Sequence, residues 1–301
     1  LWYAKHNFSK ALEIEPENIE ANISMGQLYI TSGDICDNLD SKFLDINQDL
    51  FQAFYGFDSA NYLESKGISL KTQYYYQQAA EILTKFNNSN KNSGLGYYHL
   101  AKLNDNPKWK NSSHELVKEY INKAINIEPN NADYYNYRGN IFLFAYENIL
   151  NNENFSFALS DFNKAISLEP NKAIYYNNLG YLLSLKNETK EALENFNKSI
   201  NLEPDNKLIA ENYKKFLISI LNKSPEKTLS ILKDISRNEP LSPLMKNTIS
   251  LVYTQIGVNY LLNKKKKENA IHSFEKALTF DNENNLAKEY LQIAKTGTNK
   301  L

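Results

Sequence analysis

The side chains able to carry catalytic or metal chemistry are few and scattered along the chain. Cys36 lies between Asp34 and Asp37, whose negative charges oppose formation of a reactive thiolate. No glycine-rich phosphate loop, nucleophile elbow or motif-placed carboxylate pair is present. The four histidines have no second ligand at a metal-binding spacing, and they are His6, His99, His114 and His272. The sequence therefore predicts no enzyme, no cofactor and no metal site.

The charge balance argues against a nucleic-acid partner. The chain carries 34 basic and 35 acidic residues, for a formal net charge of −1. Only Arg138 and Arg237 are arginines, so the bidentate contacts that grip phosphate or guanine are scarce. A lysine run, 264–267, falls in a predicted turn. A solvated turn is its simpler interpretation, and an acidic partner or a lipid surface is the alternative.

The apolar residues and the cysteine content indicate which cellular compartments fit the chain. No apolar run approaches the roughly 18 residues that cross a bilayer, so we expect no membrane span in this segment. No signal peptide is visible, although the chain begins at Leu1 without Met. One cysteine excludes an internal disulfide framework and fits a reducing compartment. These observations favour the cytoplasm slightly and leave a bacterial periplasmic or envelope location open.

A recurring spacing of small, aromatic and proline residues indicates how the chain is organised. Phe196 lies eight residues before Pro204, and Ala192 lies twelve before it. Gly180 lies twenty-four residues before the same proline. The shorter offsets recur before three other prolines, in the sets Ala4, Phe8, Pro16; Val117, Ile121, Pro129; and Ala158, Phe162, Pro170. Together they give a period of about 34 residues.

Each period reads as two helices joined by a polar turn. In residues 173–206 a helical pattern runs to about Lys186, and Thr189 is expected to cap the second helix. Gly180 lets the two backbones approach closely, and Phe196 fills the space beyond that contact. Pro204 disfavours helix in the residue before it, so the second helix ends there. One such pair cannot bury its apolar stripe alone, which predicts stacking of successive pairs.

This spacing resembles the tetratricopeptide repeat family, and the resemblance covers almost all of the chain. It implies an all-α fold, a superhelical α-solenoid of stacked antiparallel helix pairs. We predict one solenoid over residues 1–301, with about seven repeats and terminal helices. The predicted repeats are 1–18 (second helix only), 19–52, 53–86, 94–131, 132–172, 173–206, 207–242 and 250–284, with 285–301 as a capping helix.

Three assignments within these repeats are specific enough to test. Repeat 19–52 is given a degenerate second helix around Leu39, Phe43 and Ile46. In repeat 53–86, Tyr76 is placed at the position that Phe196 holds in repeat 173–206. Residues 243–249 are expected to extend the first helix of repeat 250–284.

The resemblance also implies where partners bind. In the family, the second, fifth, sixth and ninth residues of each repeat tend to face a concave groove that holds a partner peptide or helix. Carried over to this chain, they give an Asn- and Tyr-rich groove. Its candidate residues are His99, Lys102, Asn136, Tyr137, Asn140, Asn177, Asn178, Tyr181, Glu211, Asn212 and Lys215.

The chemistry of these residues suits an extended peptide. An Asn amide offers a donor and an acceptor to a peptide backbone, and Tyr adds rigid area with a hydroxyl. Asn178 and Asn212 hold the same position in successive repeats, which resembles the asparagine ladder of some members; chance is the alternative, because Asn is abundant here. The Lys and Arg residues of the family's carboxylate clamp do not match.

Two functions stay open from the sequence, and a third is disfavoured. The first is a non-catalytic, monomeric scaffold that binds a protein or peptide partner in its groove. The second is an interaction segment of a larger multidomain protein or of an envelope or secretion assembly, because the chain starts on a lone second helix. An enzyme is disfavoured, because no nucleophile, base and orienting group can be assembled.

Overall fold

The computed structural model describes residues 2–16, 18–38, 68–107, 109, 111–237, 241–262 and 266–296. Every regular element in these ranges is an α-helix, which confirms the all-α prediction. The helices, numbered along the chain, are α1 Trp2–Ile14, α2 Ile19–Asn38, α3 Ile68–Ser89, α4 Leu95–Asn104, α5 His114–Ile127, α6 Ala132–Ile149, α7 Asn152–Leu168, α8 Ala173–Leu185, α9 Thr189–Leu202, α10 Lys207–Leu221, α11 Pro225–Ile235, α12 Pro243–Leu262, α13 Lys267–Phe280 and α14 Asn285–Thr296.

Short polar residues start several of these helices by accepting a bond from a backbone N–H that the helix leaves without a partner. The Asn206 side chain accepts from the Leu208 N–H at 3.0 Å, at the start of α10. Ser224 does the same for α11, which then places Pro225 in its first turn. Thr189 was expected to cap α9 and does not. It is the first residue of that helix, and its hydroxyl donates to the Asn187 carbonyl at 3.2 Å.

The chain divides into two compact units, Leu1–Arg138 and Gly139–Leu301, and the division falls inside α6. In the first unit, α2 packs on α3 and α4 packs on α5. In the second unit, α8 packs on α9, α10 on α11, and α12 on α13, with α14 against α13. From α4 onward the helices lie within the predicted repeats, and α12 begins at Pro243, as expected. The repeat boundaries and the single solenoid stay predictions.

A glycine of one helix meets a large side chain of the helix that follows it in the described part of the chain in each of four pairs. A Cβ added to Gly257 would lie 2.5 Å from the Phe274 ring, closer than real Cβ atoms approach other atoms. A Cβ on Gly180 would lie 3.2 Å from the Phe196 ring. Each of these rings is fully buried. The four pairs are Gly26–Leu83, Gly139–Phe162, Gly180–Phe196 and Gly257–Phe274.

The first of these pairs joins α2 to α3. Leu83 lies against the glycine of α2, because α3 packs directly on α2. Tyr76 is also buried, but its hydroxyl accepts from the Asn106 amide at 3.1 Å in the turn after α4. The helix predicted around Leu39, Phe43 and Ile46, and the first helix of repeat 53–86, lie outside the described residues.

Replacing Gly180 with leucine tests this close approach. We expect Gly180→Leu to lower the free energy of unfolding by about 1–3 kcal/mol, because the new side chain overpacks the contact with Phe196. Chemical denaturation followed by circular dichroism measures the loss. Asn201→Leu, which adds the same side chain at an exposed position of α9, is the control. Equal stability of the two variants would contradict the packing.

Candidate functional site

His99 is held inside the first unit and is not an open groove residue. It is 5% exposed on α4, and its Nε2 lies 3.0 Å from the Gln27 amide nitrogen of α2. With the amide oriented this way, the N–H donates to a neutral imidazole. Burial, and to a smaller extent the nearby Lys102 charge, lower the pKa of His99 to about 4. This histidine therefore links two helices at neutral pH.

An aromatic group surrounds His99 on α4 and the start of α6. The Tyr98 ring centroid lies 5.0 Å from that of Tyr134 and 5.4 Å from that of Tyr137. The Lys102 ammonium lies 5.4 Å from the Tyr98 ring, within reach of a cation–π contact. Tyr137 donates its hydroxyl to the Asp105 carboxylate at 3.0 Å, and burial followed by this carboxylate raises its pKa. The predicted residues Lys102 and Tyr137 thus meet around one tyrosine ring.

Three asparagines of the second unit form a directional row of amides. Asn212 of α10 donates its amide to Asn177 Oδ1 at 3.2 Å. Asn177 of α8 in turn donates to Asn178 Oδ1 at 3.0 Å. Asn177 is 1% exposed, whereas Asn178 and Asn212 are half-buried. The two asparagines expected to form a ladder are thus connected through a third, buried one.

Tyr181 lies one turn further along α8, and its hydroxyl donates to the Glu147 carboxylate of α6 at 2.5 Å. Burial, and then this bond, raise the pKa of Tyr181 to about 12. Sequence reasoning missed Glu147, although it lies one repeat length, 34 residues, before Tyr181. It also missed Phe144, which is 62% exposed one turn before Glu147 on the same helix.

The other candidate residues are half-buried or exposed. Glu211 pairs with Lys214 at 2.6 Å on α10. This bond, helped by the Lys215 charge, lowers the Glu211 pKa. Lys215 is exposed. Asn136 and Asn140 are half-buried on α6, Asn136 in the first unit and Asn140 in the second.

Two further properties of the described ranges bear on function. They contain no group of three or more His, Cys, Asp or Glu side chains placed to hold a metal ion. None of the helices from α1 to α14 combines the length and the apolar character needed to cross a bilayer.

The lowered pKa of His99 predicts that the stability of the first unit depends on pH. Its pKa is 6.5 in the reference state and about 4 when folded, so protonation favours opening. The stabilisation is complete above pH 6.5 and is lost as the pH falls towards 4, on the order of 3 kcal/mol. Hydrogen–deuterium exchange of the α4 amides measures it, once corrected for intrinsic rates.

Two variants isolate the effect of this histidine from that of the carboxylates. His99→Gln should remove most of the acid-induced loss of protection in α4, because the substituted side chain does not titrate. His272→Gln, at an exposed position of α13, should leave the loss unchanged. An identical pH profile for all three proteins would rule out a role for His99.

Comparison with known proteins agrees with the helix pairs. Models of the tetratricopeptide repeat match residues 162–194 and 251–284. A monomeric mutant of IFIT1, solved with Gppp-AAAA, aligns with a TM-score of 0.53 at 16% identity, over 98% of this chain and 67% of that one. This similarity shows the fold alone.

Other solved structures align less closely. YrrB, described as a TPR protein with an unusual peptide-binding site, has a TM-score of 0.44 and 21% identity, covering 71% of this chain and 99% of that chain. A tetratricopeptide repeat protein from Parabacteroides merdae has a TM-score of 0.41 and 14% identity, covering 90% and 99%. No curated protein sequence matches this chain. Residues 162–194 and 251–284 therefore resemble tetratricopeptide repeats, and Gly180 and Gly257 within these segments each lie against an aromatic ring of the helix that follows.

Proposed function

We propose that the chain is a non-catalytic scaffold that binds an extended segment of a partner protein along the first helices of its second unit. Proteins of the tetratricopeptide repeat family are protein-interaction scaffolds and are typically without catalytic activity. The observation that carries the proposal is the amide row from Asn212 through Asn177 to Asn178.

The row suits a peptide backbone because of the direction of its bonds. Asn177 uses its carbonyl oxygen for one neighbour and its amide nitrogen for the other, so it positions both. The outer polar atom of the row on the α10 side is Asn212 Oδ1, an acceptor for a peptide N–H. An extended peptide presents the complementary groups in alternation. Both outer residues are half-buried, so they reach solvent while their positions are held.

Apolar side chains flank the amide row within the same unit. Leu208 is 55% exposed and lies one turn before Asn212 on α10, so the two share a face of that helix. Phe144 is exposed on α6, one turn after Asn140 and one turn before Glu147. Large exposed apolar side chains beside ordered polar groups are typical of protein-binding surfaces. The preferred partner segment is therefore one with apolar side chains beside its bound backbone.

We also propose a class of partner and an oligomeric state for the chain. The formal net charge of −1 and two arginines give no basis for a nucleic-acid partner, so a protein or peptide is proposed. We propose a monomer. Alternatively, the chain is the interaction segment of a larger protein or assembly. The amide row would bind a partner peptide in that case as well.

Peptide selection followed by a single substitution tests the proposal. Random peptides displayed on phage are selected against the chain, and the Kd of the best sequence is measured by fluorescence anisotropy. We expect Asn212→Ala to weaken binding about tenfold, because it removes one bond to the peptide and the bond that orders Asn177.

Asn201→Ala is the matched control, because it removes the same amide from an exposed position of the neighbouring helix α9. Its Kd should equal that of the unsubstituted chain. Equal affinity in all three proteins would place the selected peptide elsewhere, and failure to select any peptide would argue against the scaffold itself. Melting curves confirm that each variant folds.

A further inference from the structure

A separate pocket of about 390 Å³ lies in the second unit, where the turn after α8 meets the end of α10 and the start of α11. It falls within the range of small-molecule sites. None of the amide-row residues lines it. Its walls are Ser184, Asn187, Thr189, Phe216, Ser219, Ile220, Lys223, Ser224 and Lys227.

The rim of the pocket has an excess of hydrogen-bond donors. Lys223 donates to Asn187 Oδ1, which holds its ammonium at the rim and uses one of three N–H groups. The Lys227 ammonium forms no ion pair or hydrogen bond with any residue that the structure describes. Ser224 accepts from the Lys227 backbone N–H, so its own hydroxyl hydrogen stays available.

The charges of the pocket lining are not balanced. No carboxylate is among the lining residues, although two ammonium groups are. Ser184 and Ser219 donate their hydroxyl hydrogens to the carbonyls of Tyr181 and Phe216 on their own helices, so they add acceptor oxygens but no charge. The lining therefore carries a local charge of +2 that no lining residue neutralises.

The floor of the pocket is apolar. Phe216 and Ile220 are 4% and 6% exposed and belong to the core of the second unit. Phe216 is fixed there by the Phe196 ring, whose centroid lies 5.1 Å away. An aromatic or aliphatic group can thus rest on a rigid surface beneath the two ammonium groups.

We propose that this pocket binds a small organic phosphate monoester, with the phosphate between Lys223 and Lys227 and the apolar body over Phe216 and Ile220. A monoester carries close to two negative charges at neutral pH, which matches the two lysines. Lysine binds phosphate as a point charge, so the two ammonium groups need no fixed planar geometry to hold it. The Ser224 hydroxyl and the Asn187 amide supply further donors. This site is independent of the proposed peptide surface.

Phenyl phosphate is the probe, because it joins the dianion to an aromatic ring. Amide shifts in ¹⁵N spectra are followed during titration at about 0.15 M ionic strength, where non-specific attraction is screened. We expect saturable shifts confined to the ends of α8 and α10 and the start of α11. Inorganic phosphate lacks the apolar body and should bind about tenfold more weakly, and phenol lacks the charge and should not saturate.

Matched lysine substitutions on α11 decide whether the pocket is responsible. Lys227→Gln should weaken phenyl phosphate about tenfold or more, whereas Lys233→Gln, at an exposed position of the same helix, should change the Kd less than about twofold. Equal losses of affinity in the two variants would show that general positive charge attracts phenyl phosphate. Amide shifts that do not saturate would show that the pocket is not a specific binding site. Either result would overturn the proposal, as would equal affinity for phenyl phosphate and inorganic phosphate.

Discussion

In three helix pairs of the second unit, the close approach of the two helices depends on a glycine of one helix that packs against an aromatic ring of the next. Without a side chain at Gly257, the α12 backbone lies so near the Phe274 ring that a Cβ there would be 2.5 Å from it. Close-packed interiors adjust poorly to added volume, so this approach tolerates only glycine.

In the second unit, one aromatic ring contacts both its own helix pair and the helix that follows that pair. Phe196 packs against Gly180 within its own pair, and its centroid lies 5.6 Å from that of Tyr213 on α10. Tyr213 is adjacent to Asn212, whose amide donates to Asn177 Oδ1 at 3.2 Å. The Phe196 ring therefore packs against the residue next to the amide row, and its centroid also lies 5.1 Å from that of Phe216 in the pocket floor.

Much of this fold could be predicted from local spacing, because the glycine, aromatic and proline positions recur at fixed offsets. The spacing is less regular between α2 and α3, because Leu83 lies against Gly26 while Lys91, not proline, follows Leu83 at the expected offset. The candidate residues were predicted only by position. The burial of His99 depends on Gln27, which lies 72 residues away, and no periodic pattern predicts that contact.

A double-mutant cycle at Gly257 and Phe274 tests the central contact most directly. Gly257→Ala should destabilise the chain alone, and much less when Phe274→Leu has removed the ring edge. The packing predicts an interaction free energy above about 1 kcal/mol between the two substitutions, read from denaturant unfolding. Effects that add within about 0.5 kcal/mol would contradict it, and the glycine would then have no role in setting the helix pair.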